Sequence, residues 1–122
     1  CRTWSDIWLN EGFATYTECI WLERKPGSSG IPALIAAIHA RRPGNVATGS
    51  VYRYDVTDVN SIFSGTFSYN KGAWVLHTLR KTVGDPAFFA ILHAYRERFQ
   101  GSAATTDDLA ATATDCLPQS HE

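Results

Sequence analysis

Apolar side chains recur at helical spacing along most of this chain, and glycine or proline interrupts the pattern between stretches. The first stretch runs from Asp6 to about Lys25 and ends at the Pro26-Gly27 pair, which stops a helix. Its wide apolar face comprises Ile7, Trp8, Phe13, Tyr16, Ile20 and Trp21. A chain patterned in this way buries its apolar surface by packing helices against one another.

Two further helices are predicted in the middle of the chain from the same kind of interruption. One runs from about Ile31 to Arg41, with proline in its first turn and arginines at its C-terminal end, where the helix dipole favours cations. The other covers residues 69–83 and ends at Gly84, a residue suited to a C-terminal cap. Its apolar stripe comprises Ala73, Leu76, Leu79 and Val83.

The last two helices are predicted from signals at their N-termini. Asp85 is expected to cap a helix that has Pro86 at its first position, and the following FFAILHAYRERF supplies an apolar face. Thr105 is expected to cap the final helix, with Asp108 three residues further on as a shorter stand-in for the usual glutamate of a capping box.

Residues 43–66 are the least regular part of the chain. Tyr52, Tyr54 and Val56 alternate with charged residues, which suits a short strand, but a solvent-exposed loop is equally compatible. Loops of this length often carry function, although a surface excursion without function is as compatible. The prediction for the whole chain is therefore an all-α fold, a bundle of about five helices with one long irregular loop.

Composition narrows the classes of function. With 122 residues the chain forms at most one domain, and its net charge of −1, with both signs interspersed, offers no surface for nucleic acid. No apolar run is long enough for a transmembrane segment. The three cysteines, an odd number at wide spacing, predict neither a disulfide framework nor a cysteine zinc site. Because the chain enters a helical pattern at once and contains no methionine, it is expected to be a piece of a longer protein.

One acidic residue, Glu11, lies in an apolar and aromatic surround within WLNEGFATY, residues 8–16, next to Gly12, which inside a helix indicates close packing. At helical spacing it shares a face with Thr15 and Glu18, and such a stripe is also typical of a solvent-facing side. A buried carboxylate is costly unless it is paired or bound to a metal, and catalytic zinc commonly takes one glutamate with the two histidines of HExxH. No HExxH occurs, so Glu11 alone cannot hold a catalytic zinc. The histidines are His39, His77, His93 and His121.

Residues 3–18, TWSDIWLNEGFATYTE, closely resemble the segment that follows HExxH in the membrane alanyl aminopeptidase family of zinc metallopeptidases, whose catalytic domain is thermolysin-like. In that family the glutamate of this segment is the third zinc ligand, roughly eighteen residues after HExxH, and the resemblance carries that role to Glu11. Counting back, HExxH would fall before Cys1. Residues 68–80, SYNKGAWVLHTLR, resemble the family's Tyr-x-Lys-Gly-Ala segment, whose tyrosine stabilises the oxyanion, and this role transfers to Tyr69.

The resemblance implies that residues 1–122 are a single partial domain, the helical C-terminal part of a thermolysin-like gluzincin domain. The longer protein is expected to bind Zn²⁺ and to hydrolyse N-terminal residues from peptides that have a free N-terminus, in the cell envelope or outside a bacterium. Thr15 and Glu18 are expected to contact the metal ligands. The chain alone is expected to lack activity and zinc, and to form a non-native dimer through a surface that the rest of the domain would cover.

Three alternatives stay open. The first is an epoxide-hydrolysing relative of the leukotriene A hydrolase type, which the family's Gly-x-Met-Glu-Asn motif, expected upstream, would separate from an aminopeptidase. The second is a non-catalytic member that keeps the fold without zinc, although a degenerate site has no need for both Glu11 and Tyr69. The third is a structural helical interaction module.

Overall fold

The computed structural model of the protein describes residues 3–42, 50–54 and 56–117. Within these ranges it contains α-helices and no β-strand, which confirms the all-α prediction. A 3₁₀ turn, Trp4–Asp6, precedes the first helix, and a π-helical segment, Gly65–Lys71, runs directly into the fourth. No helix in the described part of the chain is both long and apolar enough to cross a membrane. The helices are α1 (Ile7–Arg24), α2 (Ile31–His39), α3 (Val59–Ile62), α4 (Gly72–Val83), α5 (Asp85–Phe99) and α6 (Thr106–Cys116).

The predicted number of about five helices agrees with the structure, since α3 is a single turn. Between α2 and α3 the described residues are irregular, so the loop alternative is correct at Tyr52, Tyr54 and Val56. The two tyrosine rings pack edge to face with their centroids 4.9 Å apart. Residues 43–49 of the predicted loop, and His121, lie outside the described residues.

Helix α1 lies at the centre of the fold, against α2, α4 and the π-helical segment. Ile7, Trp8 and Leu9 are consecutive and each less than 5% exposed, so most of the first turn of α1 is buried, and Asn10 is its exposed residue. Helix α5 packs on α4 and α6. Burying each large apolar side chain contributes about 1.5–3 kcal/mol. The core includes Trp8, Leu9, Tyr16, Cys19, Leu34, Ile38, Ala73, Leu76, Phe88, Ile91 and Leu109.

An ionic cluster lies beside this core, centred on Arg80, whose side chain is 2% exposed, while that of Asp85 is 55% exposed. Its guanidinium donates to both carboxylate oxygens of Glu23 and to both of Asp85, all at 2.9–3.0 Å. It also donates to the Tyr16 hydroxyl at 3.4 Å, and that hydroxyl lies 2.9 Å from Nδ1 of His77. The hydrogen bonds with Asp85 and Glu23 raise the pKa of Arg80, so the guanidinium stays charged. The cluster joins α1, α4 and the first turn of α5.

Of the two predicted N-terminal caps, the structure confirms one and contradicts the other. Thr105 caps α6 as predicted: its Oγ1 accepts from the Asp108 amide at 3.2 Å, and Oδ2 of Asp108 accepts from the Thr105 amide at 2.8 Å. The capping role predicted for Asp85 is wrong, because Asp85 is itself the first residue of α5 and Gly84, with φ of 85°, occupies the N-cap position. The Asp85 carboxylate binds Arg80 instead, since a charged donor makes a stronger hydrogen bond than a neutral amide.

A long-range contact through Asp6, which is 3% exposed, ties the start of α1 to α6. Oδ1 of Asp6 accepts from the amide and the hydroxyl of Thr106 at 2.9 and 2.6 Å, and Oδ2 accepts from the Thr3 hydroxyl at 2.6 Å. The indole of Trp8 donates to the same Thr106 hydroxyl at 3.0 Å. Burial alone would raise the pKa of Asp6, but these hydrogen bonds outweigh it and hold the pKa below its ordinary value.

Replacing Asp6 by Asn is expected to lower the free energy of unfolding by about 1–2 kcal/mol at neutral pH, because an amide oxygen accepts weaker hydrogen bonds than a carboxylate. Since the folded-state pKa lies below the unfolded value, the stabilisation by Asp6 is complete above about pH 4 and is lost as the pH falls through the folded pKa. Urea unfolding at about pH 7 and about pH 3 should therefore show a difference between the two proteins that shrinks in acid. A difference that grows in acid would rule out this role.

Candidate active site

Helices α1 and α4 cross with their backbones in direct contact at Gly12 and Gly72. A Cβ atom added to Gly12 would lie 2.8 Å from the carbonyl carbon of Gly72, and one added to Gly72 would lie 3.0 Å from the Cα of Gly12. Any larger residue at either position forces a helix to move. Glycine inside a helix costs about 1 kcal/mol relative to alanine, and the close packing indicated by Gly12 in the sequence is confirmed.

The π-helical segment that precedes α4 has its own set of hydrogen bonds. The amide of Tyr69 donates to the carbonyl of Ser64, five residues back, at 3.3 Å. Oγ of Ser64 accepts from the Phe67 amide at 3.1 Å and so caps the start of the segment. Ser68 is fully buried and donates from Oγ to the carbonyl of Ile62 at 2.6 Å. Because a π-helical turn holds more residues than an α-helical one, this pairing sets the direction of the Tyr69 side chain.

The crossing brings together the two predicted site residues, Glu11 and Tyr69, which are 69 − 11 = 58 positions apart in the sequence. The Tyr69 hydroxyl lies next to the Glu11 carboxylate, to which it can donate a hydrogen bond. Interaction with Glu11 raises the pKa of Tyr69 above its ordinary value, which is already well above neutral, so the phenol is protonated at neutral pH and can donate. The sequence interpretation missed Asn10, whose Nδ2 donates to Oε1 of Glu11 at 3.1 Å. The only signal for it was an amide adjacent to a candidate ligand.

Thr15 and Glu18 follow Glu11 on α1 but bind elsewhere. The hydroxyl of Thr15 is buried and donates to the backbone carbonyl of Glu11 at 2.8 Å, and not to its carboxylate. The side chain of Glu18 is 67% exposed, and its Oε2 lies 3.0 Å from the guanidinium of Arg41. The structure therefore groups Glu11 with Asn10 and Tyr69, while contacts of Thr15 and Glu18 with metal ligands stay a prediction.

The fit of these residues to a metal ion follows from their chemistry. In the part of the chain that the structure describes, no three His, Cys, Asp or Glu side chains are placed to hold a metal together. Glu11 suits one ligand position, because a carboxylate offers about four lone-pair directions and Asn10 occupies one of them. His77 is bonded within the ionic cluster and His93 is 75% exposed near a glutamate, so neither approaches Glu11 as a further ligand. A metal site that includes Glu11 needs its other ligands from beyond the described residues.

Comparison with known proteins gives a consistent result. Residues 1–120 match the model of the peptidase family M1 domain. Aminopeptidase N of Streptomyces lividans is 33% identical over 114 residues, and aminopeptidase N of Lactococcus lactis subsp. lactis is 30% identical over 118 residues. These matches cover 87% and 88% of this chain but 13% and 14% of the relatives. The crystal structure of an M1 zinc metallopeptidase from Deinococcus radiodurans matches with a TM-score of 0.73 and 38% identity, over 95% of this chain and 25% of that one.

Proposed function

Because this chain belongs to peptidase family M1, we propose that it is part of a longer zinc-dependent aminopeptidase, to whose active site it contributes one metal ligand and one oxyanion donor. The observation that carries this proposal is the meeting of Glu11 and Tyr69 at the crossing of α1 and α4. The relatives named aminopeptidase N support the reaction class. The full-length chain of which residues 1–122 are proposed to be a part is called the longer protein.

Glu11 supplies the properties that a zinc ligand needs. It is anionic, half-buried, and oriented by the amide of Asn10. Zinc, when bound, supplies Lewis acidity toward the scissile carbonyl and toward a water molecule. The two remaining protein ligands and the general base are proposed to come from an HExxH motif outside this chain.

Tyr69 supplies a hydrogen bond that strengthens during the reaction. Its phenol is held protonated, so it donates to the carbonyl oxygen of the substrate as that oxygen gains negative charge. The substrate is proposed to be a peptide with a free N-terminus, from which the first residue is released. Since residues 1–122 contain no HExxH, the chain alone is expected to be inactive and to hold no catalytic zinc.

The test uses the longer protein and the 122-residue chain side by side. The longer protein is expected to contain one zinc per molecule, to hydrolyse aminoacyl-p-nitroanilides, to lose at least about 100-fold of that rate on chelation and to regain it with Zn²⁺. The same substrates with an acetylated amine are the matched control and should not be cleaved. Cleavage by the 122-residue chain alone, or full activity in the presence of chelator, would refute the proposal.

A further inference from the structure

We infer that the backbone contact between Gly12 and Gly72, together with the hydrogen bond from Ser68 to the Ile62 carbonyl, positions the Tyr69 hydroxyl against the Glu11 carboxylate. The glycines and Ser68 are then positioning residues for the oxyanion donor. This inference rests on the function proposed for Tyr69.

Helices α1 and α4 approach each other closely beside both site residues. Gly12 directly follows Glu11, and Gly72 follows Tyr69 by three residues, less than one turn. A methyl group on Gly72 would meet backbone atoms alone, the Cα of Gly12 at 3.0 Å and the Trp8 carbonyl oxygen at 3.3 Å. Backbone cannot rotate aside as a flexible side chain can, so α1 and α4 would have to separate by a few tenths of an ångström at the crossing.

Buried contacts along both helices determine which part of the chain such a separation displaces. Further along α4, Ala73 and Leu76 are completely buried in the core, and on α1 the indole of Trp8 is bonded to α6. These contacts resist sliding of either helix as a whole. The residue before Tyr69 is Ser68, which is fully buried and bonded to α3. A displacement at the crossing is therefore expected to move the short stretch that carries the Tyr69 side chain.

A positioning role and a packing role for the glycine contact predict different kinetic results once Tyr69 lacks its hydroxyl. A glycine contact that served packing alone would affect stability, and its effect on catalysis would be the same with or without a hydroxyl at position 69. A contact that positions the hydroxyl has no further effect once the hydroxyl has been removed. A double-mutant cycle between Gly72 and Tyr69 measures this difference.

The experiment compares Gly72→Ala, Tyr69→Phe and the double variant in the longer protein. Gly72→Ala is expected to lower kcat by about 3- to 10-fold, because a misplacement of about 1 Å costs about 100-fold and this displacement is smaller. Zinc content should stay at one per molecule and KM within about twofold. In the Tyr69→Phe background the same substitution should change kcat by less than about twofold.

Two further variants distinguish an effect on catalysis from a loss of stability. Ser68→Ala introduces no clash, removes the bond to Ile62, and should lower kcat by about 3- to 10-fold, again with little effect in the Tyr69→Phe background. Leu109→Ala removes a buried side chain of α6, which packs mainly on α5, so it should lower Tm while leaving kcat unchanged. In a crystal structure of Gly72→Ala, the Tyr69 hydroxyl should lie farther from the Glu11 carboxylate than in the unsubstituted protein.

The outcomes are distinct. Equal losses of kcat from Gly72→Ala and Ser68→Ala in both backgrounds, or wild-type kcat in both variants, would overturn the positioning role and leave the function of Tyr69 intact. A Tyr69→Phe variant with wild-type kcat would instead overturn the proposed function, and the positioning role with it.

Discussion

Tyr69→Phe is expected to lower kcat of the longer protein by about 10²- to 10³-fold, the usual cost of removing one oxyanion donor. The substitution deletes the oxygen atom alone, so the ring keeps its place in the π-helical segment. Zinc content should not change, because the protonated Tyr69 hydroxyl faces Glu11 as a hydrogen-bond donor and supplies no lone pair that the metal requires. KM should change little, since the lost interaction is strongest in the transition state.

Steady-state kinetics with an aminoacyl-p-nitroanilide, together with metal analysis of the same samples, measures this prediction. Tyr54→Phe is a matched control, because that ring is 81% exposed and lies on the irregular loop, away from Glu11. Loss of zinc in Tyr69→Phe would reassign the residue to metal binding, and normal turnover would exclude it from catalysis.

Glu11→Gln is expected to weaken zinc binding of the longer protein by at least about 100-fold and to reduce activity in parallel at limiting zinc. The amide has nearly the same size and can still accept a hydrogen bond from Asn10, so the fold of α1 should be preserved. What disappears is the negative charge that a divalent cation requires. The two variants should therefore differ: one keeps zinc without turnover, and the other loses zinc.

Titration with a zinc-buffered chelator series gives the affinity, and added Zn²⁺ should restore part of the activity of Glu11→Gln. Glu97→Gln is the control for a general loss of negative charge, since that side chain is 68% exposed on α5. If Glu11→Gln holds zinc as tightly as the wild type, Glu11 is not a ligand.

The helices could be predicted from the sequence because their signals are local. The capping box of Thr105 and Asp108 and the positive φ of Gly84 follow from residues within four positions of each other. Asp85 shows where local signals fail. Its sequence neighbours predict a cap, but its partner Arg80 lies in a cluster with Glu23, whose position depends on tertiary packing.

Some features of the candidate site could likewise be predicted from local sequence, and others could not. The apolar surround of Glu11 is visible in the residues beside it, and Gly12 indicates a close approach. Neither feature identifies the residue that lies against Glu11. The resemblance to a family, and not the spacing, connects Tyr69 with Glu11, because a separation of 58 positions carries no geometric information. The sequence predicts a helix only from about residue 68, whereas a π-helical segment begins at Gly65. Nothing in the sequence GTFSYNK marks that pairing, which is set by contacts with α1 and by the serine at either end of Gly65–Phe67.

The ionic cluster around Arg80 has a consequence for how the molecule unfolds. Detaching α1 removes the hydrogen bonds of Glu23 and Tyr16 to the guanidinium, and detaching α5 removes those of Asp85, so each partial opening breaks charge-assisted hydrogen bonds of Arg80. Partly unfolded forms are therefore scarce relative to the native and fully unfolded states, and the three helices behave as one cooperative unit. Amide hydrogens of α1, α4 and α5 should exchange with solvent at a common slow rate, while those of α2, outside the cluster, exchange sooner.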